Sequence, residues 1–337
     1  MNIQQAIAAV LENKDLSRDE MLAVMQQVMT GEATPAQIGG FLIGLRMKGE
    51  TVDEITAAAQ VMRKLSTKVV INADSLVDTC GTGGDASGSF NISTASAIVA
   101  AAAGAKVAKH GNRSVSSKSG SADVLEAAGV NLNLSAEQVA SSVEQCGVGF
   151  MFAPNHHSAM KHAIGPRKEM GVRTIFNVLG PLTNPAGAPN QVMGVFDAKL
   201  CRPIAEVLQA LGSRHVMVVR SDDGMDEISI AAPTQVAELK DGEITEYTIQ
   251  PEDFGLQRSS LDYIKVETAE DSLAMIQLLL DGKEGAAANI VALNAGAAIY
   301  VSGNADSLAA GVVRAQAVLA SGEAKAKLAE LVEISKA

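Results

Sequence analysis

The sequence predicts an α/β protein, with a small N-terminal helical domain and a larger α/β domain that has a mostly parallel central sheet flanked by helices. Three observations predict this fold. The first seventy residues carry helix-capping signals and apolar residues at helical spacing. From about residue 75, short β-branched segments alternate with helical ones, which is typical of parallel sheets. The chain also has 30 glycines and no tryptophan, so it packs through small and aliphatic side chains.

Capping chemistry locates three helix starts in the N-terminal part. The capping boxes are Ser17 with Glu20, Thr34 with Gln37, and Thr51 with Glu54. Pro35 occupies the favoured first position of the second of these helices. Gly39, Gly40 and Gly44 would weaken that helix, so their presence predicts close contact with another helix.

A methionine stripe follows the first capping box. Met21, Met25 and Met29 recur at helical spacing. One interpretation is ordinary core of the helical domain. The other is a subunit interface, since the sequence has few aromatic residues to cover the stripe.

The larger domain is predicted from alternating segments. Strands are predicted at 76–79, 106–109, 147–152, 191–196 and 215–220, and helices at 93–103, 121–128, 135–145, 199–211 and 269–281. Residues 234–249 differ, because two strand-like runs flank Asp241–Gly242, which is a strong hairpin signal. Part of the sheet is therefore expected to be antiparallel. The stretch 155–190 is predicted to be helical and then interrupted by prolines.

Two loops between residues 78 and 123 are suited to anions. The first is glycine-rich and leads into a helix through Ser93 and Thr94, and a helix N-terminus favours phosphate. The second follows a strand that ends in Lys109 and His110, with Arg113 close behind. Converging backbone N–H groups and local cations imply a ligand with phosphate at more than one place. The sequence therefore predicts an enzyme that handles phosphate.

A nicotinamide-type site is the nearest alternative for the glycine-rich loop. GTGGDA satisfies the loose dinucleotide fingerprint, but that site needs an acidic residue about 20 positions further on. The chain has Lys109 and Arg113 in that region, which argues against a nicotinamide site. It leaves open only the nicotinamide cofactor that carries an additional phosphate on its adenosine half.

Composition narrows the class of protein. A formal net charge of −11 argues against a general nucleic-acid surface. The three cysteines form no CxxC motif, so reduced thiols are the simplest account. No run reaches the roughly 18 apolar residues that a membrane span needs, and the N-terminus lacks a basic and apolar export signal. These features predict a cytoplasmic protein.

Several motifs together resemble the anthranilate phosphoribosyltransferase family. They are GTGGD, NIST, KHGNR, GSAD, FMFAPNHH, RKEMGVRTIFNVLGPLTNPA, MDE and LNAGAAIYV. The resemblance extends from the first helix to about residue 335. The chain departs from the family pattern at Ser158, where proline is common, and at Gly296, where alanine is common.

This resemblance implies an activity and an organisation. The enzyme would transfer the phosphoribosyl group of 5-phosphoribosyl 1-pyrophosphate to the amine of anthranilate, in the second step of tryptophan biosynthesis from chorismate. Residues 1–70, joined by roughly 160–190, would form the helical domain, and 71–159 with 191–337 the donor-binding domain. The resemblance also implies a homodimer formed through the N-terminal helices, and magnesium, with two ions per subunit.

The resemblance further implies roles for individual residues. The donor-binding residues would be Gly81, Gly83, Gly84, Asp85, Ser89, Asn91, Ile92, Ser93, Thr94, Lys109, His110, Gly111, Asn112, Arg113, Ser117 and Ser121. Ser93, Asp226 and Glu227 would bind magnesium, for which hard oxygen ligands are suitable. Lys109 would act electrostatically, and no side chain is expected to be a classical acid or base.

The acceptor side depends on fewer residues. Gly81, His110, Asn112, His157 and Arg167 would bind anthranilate, with the guanidinium of Arg167 on its carboxylate. The sequence alone favours the other interpretation, in which Arg167 is a surface arginine of a solvated KHAIGPRK stretch. A zinc site at His156 and His157 is disfavoured, because adjacent histidines point apart on a helix.

Two other classes of protein stay open at this point. One is a pyrimidine nucleoside phosphorylase-like enzyme, which would need a single phosphate site. The other is a non-catalytic nucleic-acid-binding relative, for which the net charge is unfavourable.

Overall fold

The computed structural model describes residues 1–85, 87–114 and 119–337. In these ranges the seven strands are β1 Leu76–Gly81, β2 Lys106–Gly111, β3 Val148–Phe152, β4 Asn190–Gly194, β5 His215–Ser221, β6 Thr234–Lys240 and β7 Glu243–Ile249. The helices are α1 Ile3–Leu11, α2 Arg18–Thr30, α3 Pro35–Lys48, α4 Val52–Leu65, α5 Ile92–Ala102, α6 Ser121–Ala127, α7 Ala136–Cys146, α8 Ala153–His156, α9 Lys161–Met170, α10 Phe176–Leu179, α11 Cys201–Ala210, α12 Ala269–Leu280, α13 Ala286–Val301, α14 Leu308–Ser321 and α15 Glu323–Ile334.

The N-terminal helices begin where their capping boxes predict. Ser17, Thr34 and Thr51 each accept a hydrogen bond from the backbone three residues on, at the starts of α2, α3 and α4. A further capping box, Asn2 with Gln5, begins α1 and was not predicted. Each box satisfies two N–H groups that a helix start leaves without a partner.

One seven-stranded sheet forms the centre of the larger domain. Its strand order is β3-β2-β1-β4-β5-β6-β7, and the first five strands in this order run parallel. Strands β6 and β7 are antiparallel to their neighbours, as the hairpin signal predicts. Asp241 and Gly242 adopt φ angles of 52° and 81°, which a tight hairpin turn requires. All predicted strands and helices lie within two residues of the observed bounds.

Both faces of the sheet are covered. Along β5, Met217 and Val219 face one hydrophobic core, whereas Val216 and Val218 face another. The first core contains α5 and α13, and the second contains the N-terminal helices and α11. Because parallel strands expose their carboxyl ends at one edge, this arrangement brings the loops after β1 and β2 together.

The methionine stripe belongs to the core of the helical domain. Met21 and Met25 are completely buried and Met29 is 2% exposed within the single chain. The interpretation as ordinary core is confirmed, and the interface interpretation of this stripe is wrong. The predicted close helix contact is present at Gly44, where a Cβ would lie 2.5 Å from Val10 of α1.

The segment after residue 160 returns to the N-terminal helices. Helix α9 packs against α3 and α2, and Ala163 shares their hydrophobic core with Phe176 and Leu179.

The helices α13 to α15 were not predicted. Almost all of α13 is buried, between α5 and α14, and it is apolar on every side, so it shows no periodicity. A Cβ at Gly296 would lie 2.6 Å from the backbone nitrogen of Val312 in α14, so glycine permits this close helix crossing. Within the described residues, every helix is too short or too polar to span a lipid bilayer. The three cysteines are free thiols.

Candidate active site

Asp226 inserts between the ends of two neighbouring strands. Gly81 ends β1 and Gly194 ends β4, and a Cβ at either position would collide with Asp226. The side chain then accepts a hydrogen bond from the backbone N–H of Gly83, 2.7 Å from Oδ2. Gly83 and Gly84 have φ angles of 66° and 77°, a region that glycine adopts without steric cost. The glycines of this loop are therefore required both for its turn and for the approach of Asp226.

The carboxylates of this region repel one another. Burial, together with the charge of Asp85, raises the pKa of Asp226 to about 6. Burial and the charge of Asp226 also raise the pKa of Glu227 well above its usual range. A divalent cation would offset both costs, and carboxylate and hydroxyl oxygens are the ligands that magnesium prefers. Because magnesium usually takes only one or two protein carboxylates besides phosphate oxygens, this pair is sufficient for such an ion.

Lys109 brings a buried positive charge to the same place. It is 2% exposed, lies near the end of β2, and donates hydrogen bonds to the Oγ of Ser93 and the carbonyl of Thr79. Burial lowers the pKa of Lys109, against the opposing charges of Asp78 and Glu227. A cation in a poorly hydrated site interacts strongly with an anion that enters it.

The turn that begins α5 presents several donors. Asn91 caps the helix by accepting from the backbone of Thr94 at 3.1 Å, and Ser93 donates to the same side chain. Ile92 is buried in the core and anchors the turn, and Ser89 pairs with Lys265 in an isolated β-bridge. The Oγ1 of Thr94 is buried without a partner in the described residues. Such an atom is expected to bind a ligand or water.

The second predicted phosphate loop follows β2. Gly111 ends the strand, and a Cβ there would lie 3.2 Å from the Oγ of Ser121 at the start of α6. Asn112 follows, and its carbonyl accepts from the backbone of Ala122. Ser117 lies outside the described residues.

The guanidinium of Arg113 is already paired with other side chains of the protein. Its guanidinium binds both carboxylate oxygens of Glu126, at 2.6 and 2.9 Å, and also contacts Asp123. It lies over the ring of Phe152 as well, 5.7 Å from the centroid.

Two buried histidines pack against each other, His110 near the end of β2 and His157 directly after α8. The rings of His110 and His157 are 5.1 Å apart, and both side chains are buried. Burial, with the neighbouring His156, lowers the pKa of His157 to about 4, and burial lowers the pKa of His110 well below its usual range. In the described part of the chain, neither Nε2 atom has a hydrogen-bond partner. His156 instead contacts the carbonyl of Thr67, so the adjacent histidines have separate surroundings.

Arg167 and Arg173 have different contacts. The guanidinium of Arg167, on α9, lies 5.0 Å from the ring centroid of Phe176, and the side chain is half-buried. Arg173 donates to the carbonyl of Gly84 and stacks on Phe196, 4.4 Å from its centroid. The contact of Arg173 with the glycine-rich loop was not predicted, although Arg173 lies in the RKEMGVRTIFNVLGPLTNPA motif.

The fold and these loops define a glycosyl transferase of two-domain architecture. The family described as "Glycosyl transferase family, helical bundle domain" matches residues 4–66, and the family described as "Glycosyl transferase family, a/b domain" matches residues 73–325.

Full-length relatives narrow this class. A protein from Thioalkalivibrio sulfidiphilus named anthranilate phosphoribosyltransferase is 68% identical over 99% of both chains. One from Marinomonas sp. with the same name is also 68% identical, over 100% of this chain and 98% of its own length. The chain belongs to the anthranilate phosphoribosyltransferase family.

Solved structures agree with this assignment. The anthranilate phosphoribosyltransferase from Thermus thermophilus is 43% identical, with a TM-score of 0.93 over 98% of this chain and 99% of its own. The enzyme from Saccharomyces cerevisiae, solved in complex with PRPP and Mg, has a TM-score of 0.90 over 99% of this chain and 98% of its own. At 23% identity, this second likeness shows the fold alone.

Proposed function

We propose that this protein transfers the phosphoribosyl group of 5-phosphoribosyl 1-pyrophosphate to the amine of anthranilate, giving N-(5-phosphoribosyl)anthranilate and pyrophosphate. The observation that carries the proposal is the convergence of Gly83, Ser93, Lys109, Asp226 and Glu227 at the carboxyl ends of β1 and β2. This cluster combines backbone donors, a buried cation and carboxylates, which are what a diphosphate with magnesium needs. In the family, this reaction is the second step of tryptophan biosynthesis.

The chemistry follows from the charges that develop. Breaking the bond between C1 of the ribose and the diphosphate leaves positive charge on the sugar and adds negative charge to the leaving group. Lys109, already desolvated, stabilises that negative charge without reorganising. Magnesium, when bound by Ser93, Asp226 and Glu227, supplies further neutralisation of the diphosphate; we propose two ions per subunit. The aromatic amine of anthranilate has an available lone pair, so no strong general base is required.

The donor would lie across both loops. The residues that we propose for donor binding are Gly81, Gly83, Gly84, Asp85, Ser89, Asn91, Ile92, Ser93, Thr94, Lys109, His110, Gly111, Asn112, Arg113, Ser117 and Ser121. The hydroxyl of Thr94, which has no partner among the described residues, supports the placement beside α5. For Arg113, the ion pair with Asp123, which also binds the loop backbone, favours an indirect contribution.

The acceptor would lie beside the two neutral histidines. His110 and His157 are uncharged at neutral pH and offer Nε2 atoms without protein partners in the described residues, which suits a planar aromatic ring with polar substituents. Gly81 and Asn112 would complete this side of the acceptor site. Arg167 would bind the carboxylate of anthranilate, since a guanidinium matches a carboxylate in shape and charge.

The same observations bear on domains and assembly. We propose that residues 1–70 with about 160–190 form one domain, because α9 packs on α3 and shares its core.

We also propose a cytoplasmic homodimer formed through the N-terminal helices. Leu11 and Met47, which are 70% and 81% exposed, lie on α1 and α3 and support that surface. A monomer mass in light scattering at micromolar concentration would argue against the dimer.

The decisive experiment follows anthranilate fluorescence in the presence of 5-phosphoribosyl 1-pyrophosphate, with and without magnesium. Magnesium-dependent loss of fluorescence is expected. Adenine, uracil and nicotinate are run beside anthranilate as alternative acceptors. Inert anthranilate, together with conversion of uracil to a nucleoside when ribose 1-phosphate replaces the donor, would instead support the phosphorylase-like alternative.

A further inference from the structure

The segment that joins β2 to α6 is closed at its base by direct backbone contact. A Cβ at Gly120 would collide with the backbone nitrogen of Ser114 and would lie 2.6 Å from the carbonyl oxygen of Asn112. Only glycine allows the two ends to come this close. We refer to this contact between Ser114 and Gly120 as the loop base.

The carboxylate of Asp123 holds the loop base. Its Oδ2 accepts hydrogen bonds from the backbone N–H of Ser114 at 3.0 Å and of Gly120 at 2.9 Å. Its Oδ1 accepts from the guanidinium of Arg113 at 3.1 Å. Burial alone would raise the pKa of Asp123, but these hydrogen bonds outweigh burial and lower it. The side chain is therefore an anion that joins both ends of the segment.

Helix capping explains only part of this arrangement. Asp123 is the third residue of α6, and accepting from the N–H of Gly120 is what a capping box does. Ser114 and Arg113 lie nine and ten residues earlier in the chain, and a cap has no need of them. Asp253 shows the ordinary form, in which the carboxylate accepts from Gln250 at the N-cap of its own helical turn.

The loop base also lies beside the turn that begins α5. Ser119, next to Gly120, is 4% exposed, and its Oγ has no partner in the described residues. The carbonyl of Ser119 accepts from the side chain of Asn91, at the turn that begins α5. A buried hydroxyl without a partner is expected to bind a ligand.

We propose that Asp123 is a positioning residue for the phosphorylated donor. By holding Ser114 and Gly120 together, it keeps Asn112, Ser119 and Ser121 at the spacing at which they bind one phosphate group. Asp123 itself does not contact the donor. The proposal rests on the proposed function, of which it names one structural requirement.

The test compares Asp123→Asn with two matched controls. Glu126→Gln removes a negative charge that pairs with Arg113 but leaves the loop base intact. Asp253→Asn removes an equivalent capping carboxylate elsewhere in the fold. Steady-state kinetics are measured with each substrate varied, and donor binding is measured separately by calorimetry. The expected result for Asp123→Asn is a donor KM and Kd raised about 10-fold, or about 1.4 kcal/mol, with kcat and anthranilate KM within about threefold of wild type. Both controls are expected to bind the donor as wild type does.

The outcomes separate this proposal from the proposed function. Wild-type donor affinity in Asp123→Asn, or equal losses in Asp123→Asn and Asp253→Asn, would overturn the positioning role. Absence of transfer by the wild-type protein would instead contradict the proposed function, and donor calorimetry would still decide the role of Asp123. If Asp123→Asn does not fold, Asp123→Glu is used, and unchanged donor binding with a lowered Tm would make the residue merely structural.

Discussion

Asp226 is buried and Glu227, its neighbour, is half-buried, although burial raises the pKa of both, helped by the charge of Asp85 on Asp226 and by the charge of Asp226 on Glu227. Gly81 and Gly194 leave room for Asp226, so the fold brings this charge close to the glycine-rich loop. Uncompensated buried charge is costly, and a fold that retains it usually does so for function.

The first prediction concerns this acidic pair. Asp226→Asn or Glu227→Gln should lower kcat/KM by at least about 10²-fold, on the scale of losing charge stabilisation in a transition state. Asp222→Asn is the matched control, because Asp222 is exposed on the same loop and contacts Gln235. Transfer assays over a range of magnesium concentrations check the effect. Wild-type activity and magnesium dependence in the double variant would remove the pair from the mechanism.

The second prediction separates binding of the acceptor from binding of the donor. If Arg167 binds the carboxylate of anthranilate, Arg167→Ala should raise the anthranilate KM about 10- to 150-fold, since a charged hydrogen bond contributes roughly 1.5–3 kcal/mol. The donor KM should stay the same. Lys168→Ala, which removes the exposed neighbouring charge, is the control. An equal rise in the KM values of both substrates would place Arg167 outside the acceptor site.

At the scale of elements, the antiparallel hairpin of β6 and β7 extends the parallel sheet beyond β5, and a polar cluster stabilises that edge. Glu238 on β6 accepts from His215 of β5 and from Tyr247 of β7, at 2.8 and 2.7 Å. Although burial opposes ionisation, these hydrogen bonds lower the pKa of Glu238 to about 2. The charged carboxylate therefore ties three neighbouring strands together.

The third prediction follows from that pKa. A carboxylate whose pKa is lower in the folded state stabilises the fold above its unfolded value of 4.5, and this stabilisation is lost as the pH falls towards about 2. Glu238→Gln should lower Tm at pH 7, and the difference from wild type should shrink between pH 4.5 and about 2. Scanning calorimetry across this range checks it. Glu243→Gln, at the exposed start of β7, should show no such pH-dependent difference.

Elements with clear local signals could be predicted from the sequence. The capping boxes, the Asp241–Gly242 turn and the alternation of strands and helices each report a local requirement of the backbone. Helix α13 could not be predicted in this way, because burial on all sides removes its periodicity. The contacts of Asp123 and Arg173 have no local signal either, since they join residues that the fold alone brings together, such as Arg173 and Gly84.

At the scale of the whole molecule, the core around α5 and α13 and the core around the N-terminal helices lie on opposite faces of one sheet, and the candidate site lies at the carboxyl ends of its strands. Arg173 connects α3 with the glycine-rich loop. Its carbonyl accepts a hydrogen bond from Arg46 of α3, and its guanidinium donates to the carbonyl of Gly84. One residue thus couples the helical domain to the loop that we propose for the diphosphate.

The last prediction tests this coupling. Arg173→Ala removes the hydrogen bond to Gly84 and the stacking on Phe196, so the loop should lose part of its fixed geometry. Because Arg173 is exposed, solvent screening limits the effect to about 1 kcal/mol, or roughly a fivefold rise in donor KM. The anthranilate KM should change little, the reverse of the result expected for Arg167→Ala. Arg202→Ala, which removes exposed ion pairs remote from this loop, is the control. If the anthranilate KM rises and the donor KM does not, Arg173 acts on the acceptor and the proposed coupling is wrong.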